Sequence, residues 1–134
     1  MLNHLLHLIL VGVALSHEPD GSYFLILSKP YLNLVYTFSD NAKTVEVSFY
    51  CAVGPKPTKA TFDVDKVSDE SYWIDFHSDL WGKFKKSFEI RCEDYLPLGS
   101  LDLWQIKYAA KFDQPSIHLK GKTWKLAHRE PPSH

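Results

Sequence analysis

Across 134 residues the chain has two cysteines, six glycines and one methionine, and each shortage removes a class of chemistry. There is no Cys-x-x-Cys pair for a dithiol redox centre. Neither a Gly-x-Ser-x-Gly elbow nor a Gly-rich phosphate-cradling loop occurs, which argues against a nucleophilic hydrolase and a nucleotide-binding enzyme. Charge of one sign is also missing: 15 Lys plus Arg against 16 Asp plus Glu give a net −1. No global field therefore gathers nucleic acid or an acidic membrane. No apolar run reaches the roughly 20 residues that a bilayer core demands. No Asn-x-Ser/Thr acceptor for N-linked glycan is present, and no long helical period stands out.

What is present is apolar and aromatic. Hydrophobic residues make up 45% and aromatics 14% of the chain, enough to fill the interior of one folded domain and too much for a disordered one. Leu5 to Leu15 form an apolar stretch, broken only by His7 and Gly12 and ending in Ala14-Leu15-Ser16. This small-x-small ending suits signal peptidase, although Met1-Leu2-Asn3-His4 lacks the usual Lys or Arg. The expected organisation is a signal peptide over 1–16, a β-sandwich domain over 17–126 and a flexible C-terminal tail over 127–134, in a secreted protein. The plainer reading of 1–16 is an N-terminal strand or a truncated isoform.

From Ser22 onward, short β-rich runs alternate with turn chemistry. Strands are predicted over Tyr23 to Ser28, Leu32 to Ser39, Lys43 to Val53, Lys59 to Asp65, Ser71 to His77, Lys86 to Cys92 and Leu101 to Phe112. A pair, or one bent strand, follows over Ile117 to Leu126. The fold class is thus all-β, an antiparallel two-sheet sandwich of about eight strands. Alternation assigns the faces. Val45, Val47, Phe49 and Cys51 share one side of their run, and Phe88, Ile90 and Cys92 share one side of theirs. Two cysteines on inner faces of a secreted domain predict a disulfide, Cys51 to Cys92; two buried thiols are the alternative if the leader is absent.

The run Val47-Ser48-Phe49-Tyr50-Cys51-Ala52-Val53-Gly54-Pro55-Lys56-Pro57 resembles the second strand and following turn of an immunoglobulin-like domain, and Phe88-Glu89-Ile90-Arg91-Cys92 is similar to the strand carrying its second cysteine. The resemblance implies an immunoglobulin-like or jelly-roll-like sandwich with Phe62 near the place of the family's core Trp. Trp81-Gly82, Leu96-Pro97-Leu98-Gly99 and His128-Arg129 resemble a galectin-like lectin. That would imply sugar binding through an aromatic ring, with Phe62 retained from the contact run and Phe84 standing where a Glu is expected.

Three chemistries compete with plain binding. Cleavage after Ser16 leaves His17 at the N-terminus, where amine and imidazole together chelate copper. His77 or His118 would supply a second imidazole, a device similar to that of small secreted copper carriers and oxidative polysaccharide enzymes. The plainer reading is three surface histidines. Asp63, Asp65, Asp69 and Glu70 gather hard oxygen donors of the kind Ca²⁺ takes, but without EF-hand spacing they read as a solvated acidic edge. Paired carboxylates for glycoside cleavage depend on a separation that the sequence does not give. In Tyr72-Trp73-Ile74-Asp75-Phe76-His77, alternation turns Trp73, Asp75 and His77 away from the core, a composition suited to a binding hot spot; the plainer reading is a Trp73 covered by the tail or a neighbouring loop. The leading expectation is a secreted, non-catalytic recognition module for an extracellular protein partner. Its surface would be Trp73, Asp75 and His77, with the basic Lys83 to Lys86 segment beside it. No cofactor, nucleic acid or membrane span is expected; a copper-binding sandwich and a degenerate lectin are the alternatives.

Overall fold

The computed structural model describes residues 17–52 and 54–128, so the expected leader over 1–16, Val53 and the tail from 129 onward lie outside the described residues. Apolar alternation builds strands β1 (Gly21–Ser28), β2 (Tyr31–Ser39), β3 (Thr44–Tyr50), β4 (Thr58–Ser68) and β5 (Ser71–Ile74). Helix α1 (Asp79–Arg91) follows, then β6 (Gln105–Ala109), β7 (Gln114–Leu119), β8 (Lys122–Lys125) and β9 (Ala127–His128). Each strand from β1 to β7 pairs antiparallel with the next, and β9 returns to pair with β1. The result is a mostly β, antiparallel nine-stranded sheet, nearly closed into a barrel.

The expected division into two sheets is replaced by one continuous ladder. Its closure depends on one bent segment. Lys122–Lys125 pairs with β7, Leu126 N donates to Pro115 O at 2.8 Å, and Ala127 and His128 then pair with Phe24 and Tyr23 of β1. The first two residues of the expected tail are therefore strand. Turn chemistry fits its sites. Asp40 and Asn41 take positive φ between β2 and β3, as their short polar side chains allow. Lys120 and Gly121, both at positive φ, form the two-residue loop that matches the twist of the β7–β8 hairpin.

The predicted strand over Lys86 to Cys92 is helical. Ser78 caps α1 by accepting from Trp81 N at 3.2 Å, Asp79 sits in the first turn and Arg91 in the last, an arrangement that satisfies free amides and suits the helix dipole. Trp81, Phe84 and Phe88 recur at helical spacing and are buried. They meet β3 and β4 edge-on, with ring centroids at 5.3 Å for Phe49–Phe84, 5.1 Å for Phe49–Phe88 and 5.2 Å for Phe62–Trp81. Ile90, expected on the core face, is 68% exposed. The predicted strand over Ser71 to His77 stops at Ile74, and Leu101 to Phe112 is strand only over Gln105–Ala109.

The barrel has two unlike ends. One carries residues 17–20 and the β2–β3, β4–β5 and β6–β7 turns; the other carries α1, residues 92–104 and the β1–β2 and β7–β8 turns. Between them the interior is filled by Tyr23, Tyr36, Tyr72 and Tyr108 among other apolar side chains, as expected where a barrel of about eight strands leaves room only for side chains or one small ligand. Tyr36 donates to Leu103 O at 2.6 Å, so its buried hydroxyl is satisfied. The Cys51–Cys92 disulfide, with Cα atoms 5.7 Å apart, ties the end of β3 to the C-cap of α1. Cys92 is buried as expected and Cys51 half-buried.

Candidate functional site

Trp73, Asp75 and His77 do come together, as the turn that launches α1. Trp73 is half-buried and packs edge-on against Trp104 at 5.3 Å; Phe76 stacks on Trp104 at 4.1 Å, and His77 lies against Phe76 at 4.2 Å. Asp75 Oδ1 accepts from His77 N, and its carbonyl accepts from Ser78 Oγ. Asp75 therefore serves the turn, and of this group Asp75 and His77 are the exposed members. Lys83, Lys85 and Lys86 are exposed on α1. Phe62, Trp81 and Phe84, which the lectin resemblance singled out, pack on one another in the core.

The three histidines of the copper reading are not brought together. His17 Nε2 lies 2.9 Å from Ala110 O and Nδ1 lies 3.0 Å from the Tyr108 hydroxyl. Tyr108 N donates to Glu70 O just before β5 begins, whereas His77 follows the other end of β5. His118 lies three residues along β7 from Pro115, the residue that pairs with Tyr108, and its carbonyl accepts from Leu103 N near α1. Among the described residues no group of three or more His, Cys, Asp or Glu side chains is arranged to hold a metal ion, and that covers Asp63, Asp65, Asp69 and Glu70.

At the His17 end, the Asp113 carboxylate accepts from Tyr108 at 2.6 Å and from Tyr23 at 2.7 Å through the same oxygen. Burial alone would raise the Asp113 carboxyl, but these two hydroxyls, with His128 and His17 nearby, outweigh it and hold the group below its ordinary value. Tyr23 is pushed up to about 12, first by burial and then by its bond to Asp113. Tyr108 is raised for the same reasons. Such hydroxyls stay protonated near neutral pH and hold the barrel rim together. Asp113→Asn keeps the left-handed backbone at φ 48 but loses the charge. The expected cost is about 1.5–3 kcal/mol at neutral pH, measured by urea unfolding. Because the folded carboxyl lies below the unfolded value of about 4, its contribution is complete above that pH and fades as pH falls through the folded value. The gap between wild type and Asp113→Asn therefore narrows on acidification.

Exposed apolar side chains at the helix end include Leu80 and Leu101, and a further set lies on β1, β2 and the last turn of α1, on the side of the disulfide. Ile26 is 54% exposed, Tyr31 40% and Ile90 68%. Pairing places Ile26, Asn33 and Tyr50 in one row across β1, β2 and β3, and Tyr31 meets Tyr50 at 6.2 Å. Tyr31 and Ile90 then flank a shallow depression of about 240 Å³ floored by the Cys51–Cys92 bridge. At the centre of the row, Asn33 Oδ1 is buried with no hydrogen-bond partner. The strand prediction over Lys86 to Cys92 had turned Ile90 inward, so this face was missed. Its one sequence signal was the odd-numbered run Tyr31, Asn33 and Val35 opposite the buried Leu32, Leu34 and Tyr36. Comparisons with protein-family models, curated proteins and solved structures returned no match.

Proposed function

We propose that the chain is a secreted, non-catalytic recognition module that binds an extracellular protein through the face formed by Ile26, Tyr31, Tyr50 and Ile90. The observation that carries the reading is the exposure of Ile26, Tyr31 and Ile90, with Tyr31 and Ile90 flanking the depression over the disulfide. Large apolar anchors within a polar rim are the usual anatomy of a contact hot spot. The disulfide fits an oxidising compartment, and no helix among the described residues is long and apolar enough to cross a membrane.

This reading moves the contact face away from Trp73, whose half-buried ring packs edge-on against Trp104 while its Nε1 is buried without a hydrogen-bond partner among the described residues. Tyr31→Ala and Ile90→Glu are each expected to weaken partner binding by about 30-fold or more, the loss typical of a hot-spot residue, with unfolding midpoints unchanged. Surface plasmon resonance against the isolated partner measures this. Undiminished binding by both variants would remove the proposed face.

A further inference from the structure

The barrel is closed along only part of its seam. β1 pairs with β9 at Tyr23 and Phe24, and over Leu25–Ser28 its recorded pairing is with β2 alone. Among the described residues β8 pairs only with β7. The two strands therefore part below Leu126, where a groove of about 470 Å³ opens beside Leu27, Ser28, Trp124 and Tyr95. That volume lies within the roughly 300–1,000 Å³ of small-molecule sites. Leu27 and Trp124 continue the inward-facing series of their strands, and Leu119 beneath them is buried. The floor is thus the barrel's inner apolar face, reached without unpacking the core tyrosines.

The rim has the opposite character. Lys29, Lys120 and Lys122 line it against a single acid, Asp94. Lys120 Nζ donates to the backbone carbonyl of Asp94 at 3.1 Å, and Lys122 Nζ lies over the Trp124 ring at 6.0 Å. Among the described residues none of these lysines is paired with a carboxylate. An ammonium held by a neutral carbonyl keeps its charge and further N–H donors available. An apolar floor beneath an excess of positive charge selects a ligand with a hydrocarbon body and an anionic head.

We propose that this seam is a binding site for a single-chain carboxylate amphiphile, with its chain on Leu27, Leu119 and Trp124 and its head among Lys29, Lys120 and Lys122. The ligand fills the gap that β8 leaves beside β1. The groove shares Pro30, Asp94 and Tyr95 with the depression beside the disulfide, but the proposal does not rest on the protein-binding reading and would survive its failure.

Calorimetric titration of the full chain with monomeric dodecanoate, dodecanol and dodecyltrimethylammonium tests the assignment. Dodecanoate is expected to bind saturably at one site, dodecanol at least tenfold more weakly, and the cationic amphiphile more weakly still. The exposed pair Lys29→Glu and Lys122→Glu is expected to cost dodecanoate tenfold or more and leave dodecanol unchanged, which also reports that the groove remains folded. Three outcomes overturn the proposal: equal binding of all three probes, loss of dodecanol together with dodecanoate in the double variant, and capture on anionic vesicles without binding of monomeric dodecanoate.

Discussion

Phe49→Ala is expected to destabilise the protein by about 3–5 kcal/mol, the usual cost of emptying a buried phenylalanine site. Phe49 is 1% exposed and touches both Phe84 and Phe88, so its removal leaves a void between β3 and α1 at the point where helix meets barrel. The neighbouring contacts of Phe62 with Trp81 and Phe84 keep the helix from settling into that void. Urea unfolding should show the loss in the midpoint with little change in slope. Ile26→Ala, on the exposed outer face, should stay within about 0.5 kcal/mol. A Phe49→Ala cost below 1 kcal/mol would mean that α1 does not dock on this sheet.

Removing the disulfide is the second large effect. Cys51 and Cys92 are 41 positions apart, and in the chain-entropy treatment a loop of that length restricts the unfolded chain by about 4 kcal/mol. Against the 5–15 kcal/mol total of an ordinary domain, the paired Cys51→Ser and Cys92→Ser variant should unfold at a much lower denaturant concentration. Replacing both residues avoids a stray thiol. The bridge also fixes the last turn of α1 beside β3, and Ile90 belongs to that turn. Partner binding should therefore weaken even below the unfolding transition. An unfolding midpoint indifferent to reductant would contradict this role.

How far the residues themselves disclosed the structure varies by element. β2 and β3 were legible because strict alternation over seven or more residues has one explanation. The disulfide was foreseen on a premise that holds for one cysteine alone: Cys51 closes the inward series of β3, whereas Cys92 is the C-cap of α1 rather than the end of a strand. Helix α1 was not, since Phe88, Ile90 and Cys92 alternate over only five residues, a span short enough for either period. Gly82 also lowers helical propensity by about 1 kcal/mol, masking the Ser78 cap that marks the start. Barrel closure has no local signal at all: Tyr23 and His128 pair across more than a hundred positions, and the seam groove exists only because that pairing stops at Phe24.

Errors at the candidate site follow from the same cause. Reading Lys86 to Cys92 as a strand placed Ile90 in the core, hid one wall of the face beside the disulfide, and left Trp73 as the conspicuous aromatic. Trp104 packs against both Trp73 and Phe76. The pairing of Ile26, Asn33 and Tyr50 in one row depends on registers that no single strand encodes.

The measurement that bears most directly on the protein-binding face is photo-cross-linking with a benzophenone side chain placed at Ile26 in one variant and at His77 in another. With the partner bound, the probe at Ile26 should yield the covalent complex and the probe at His77 should not. A complex formed from His77 and absent from Ile26 would return the contact surface to the turn before α1 and contradict the assignment made here.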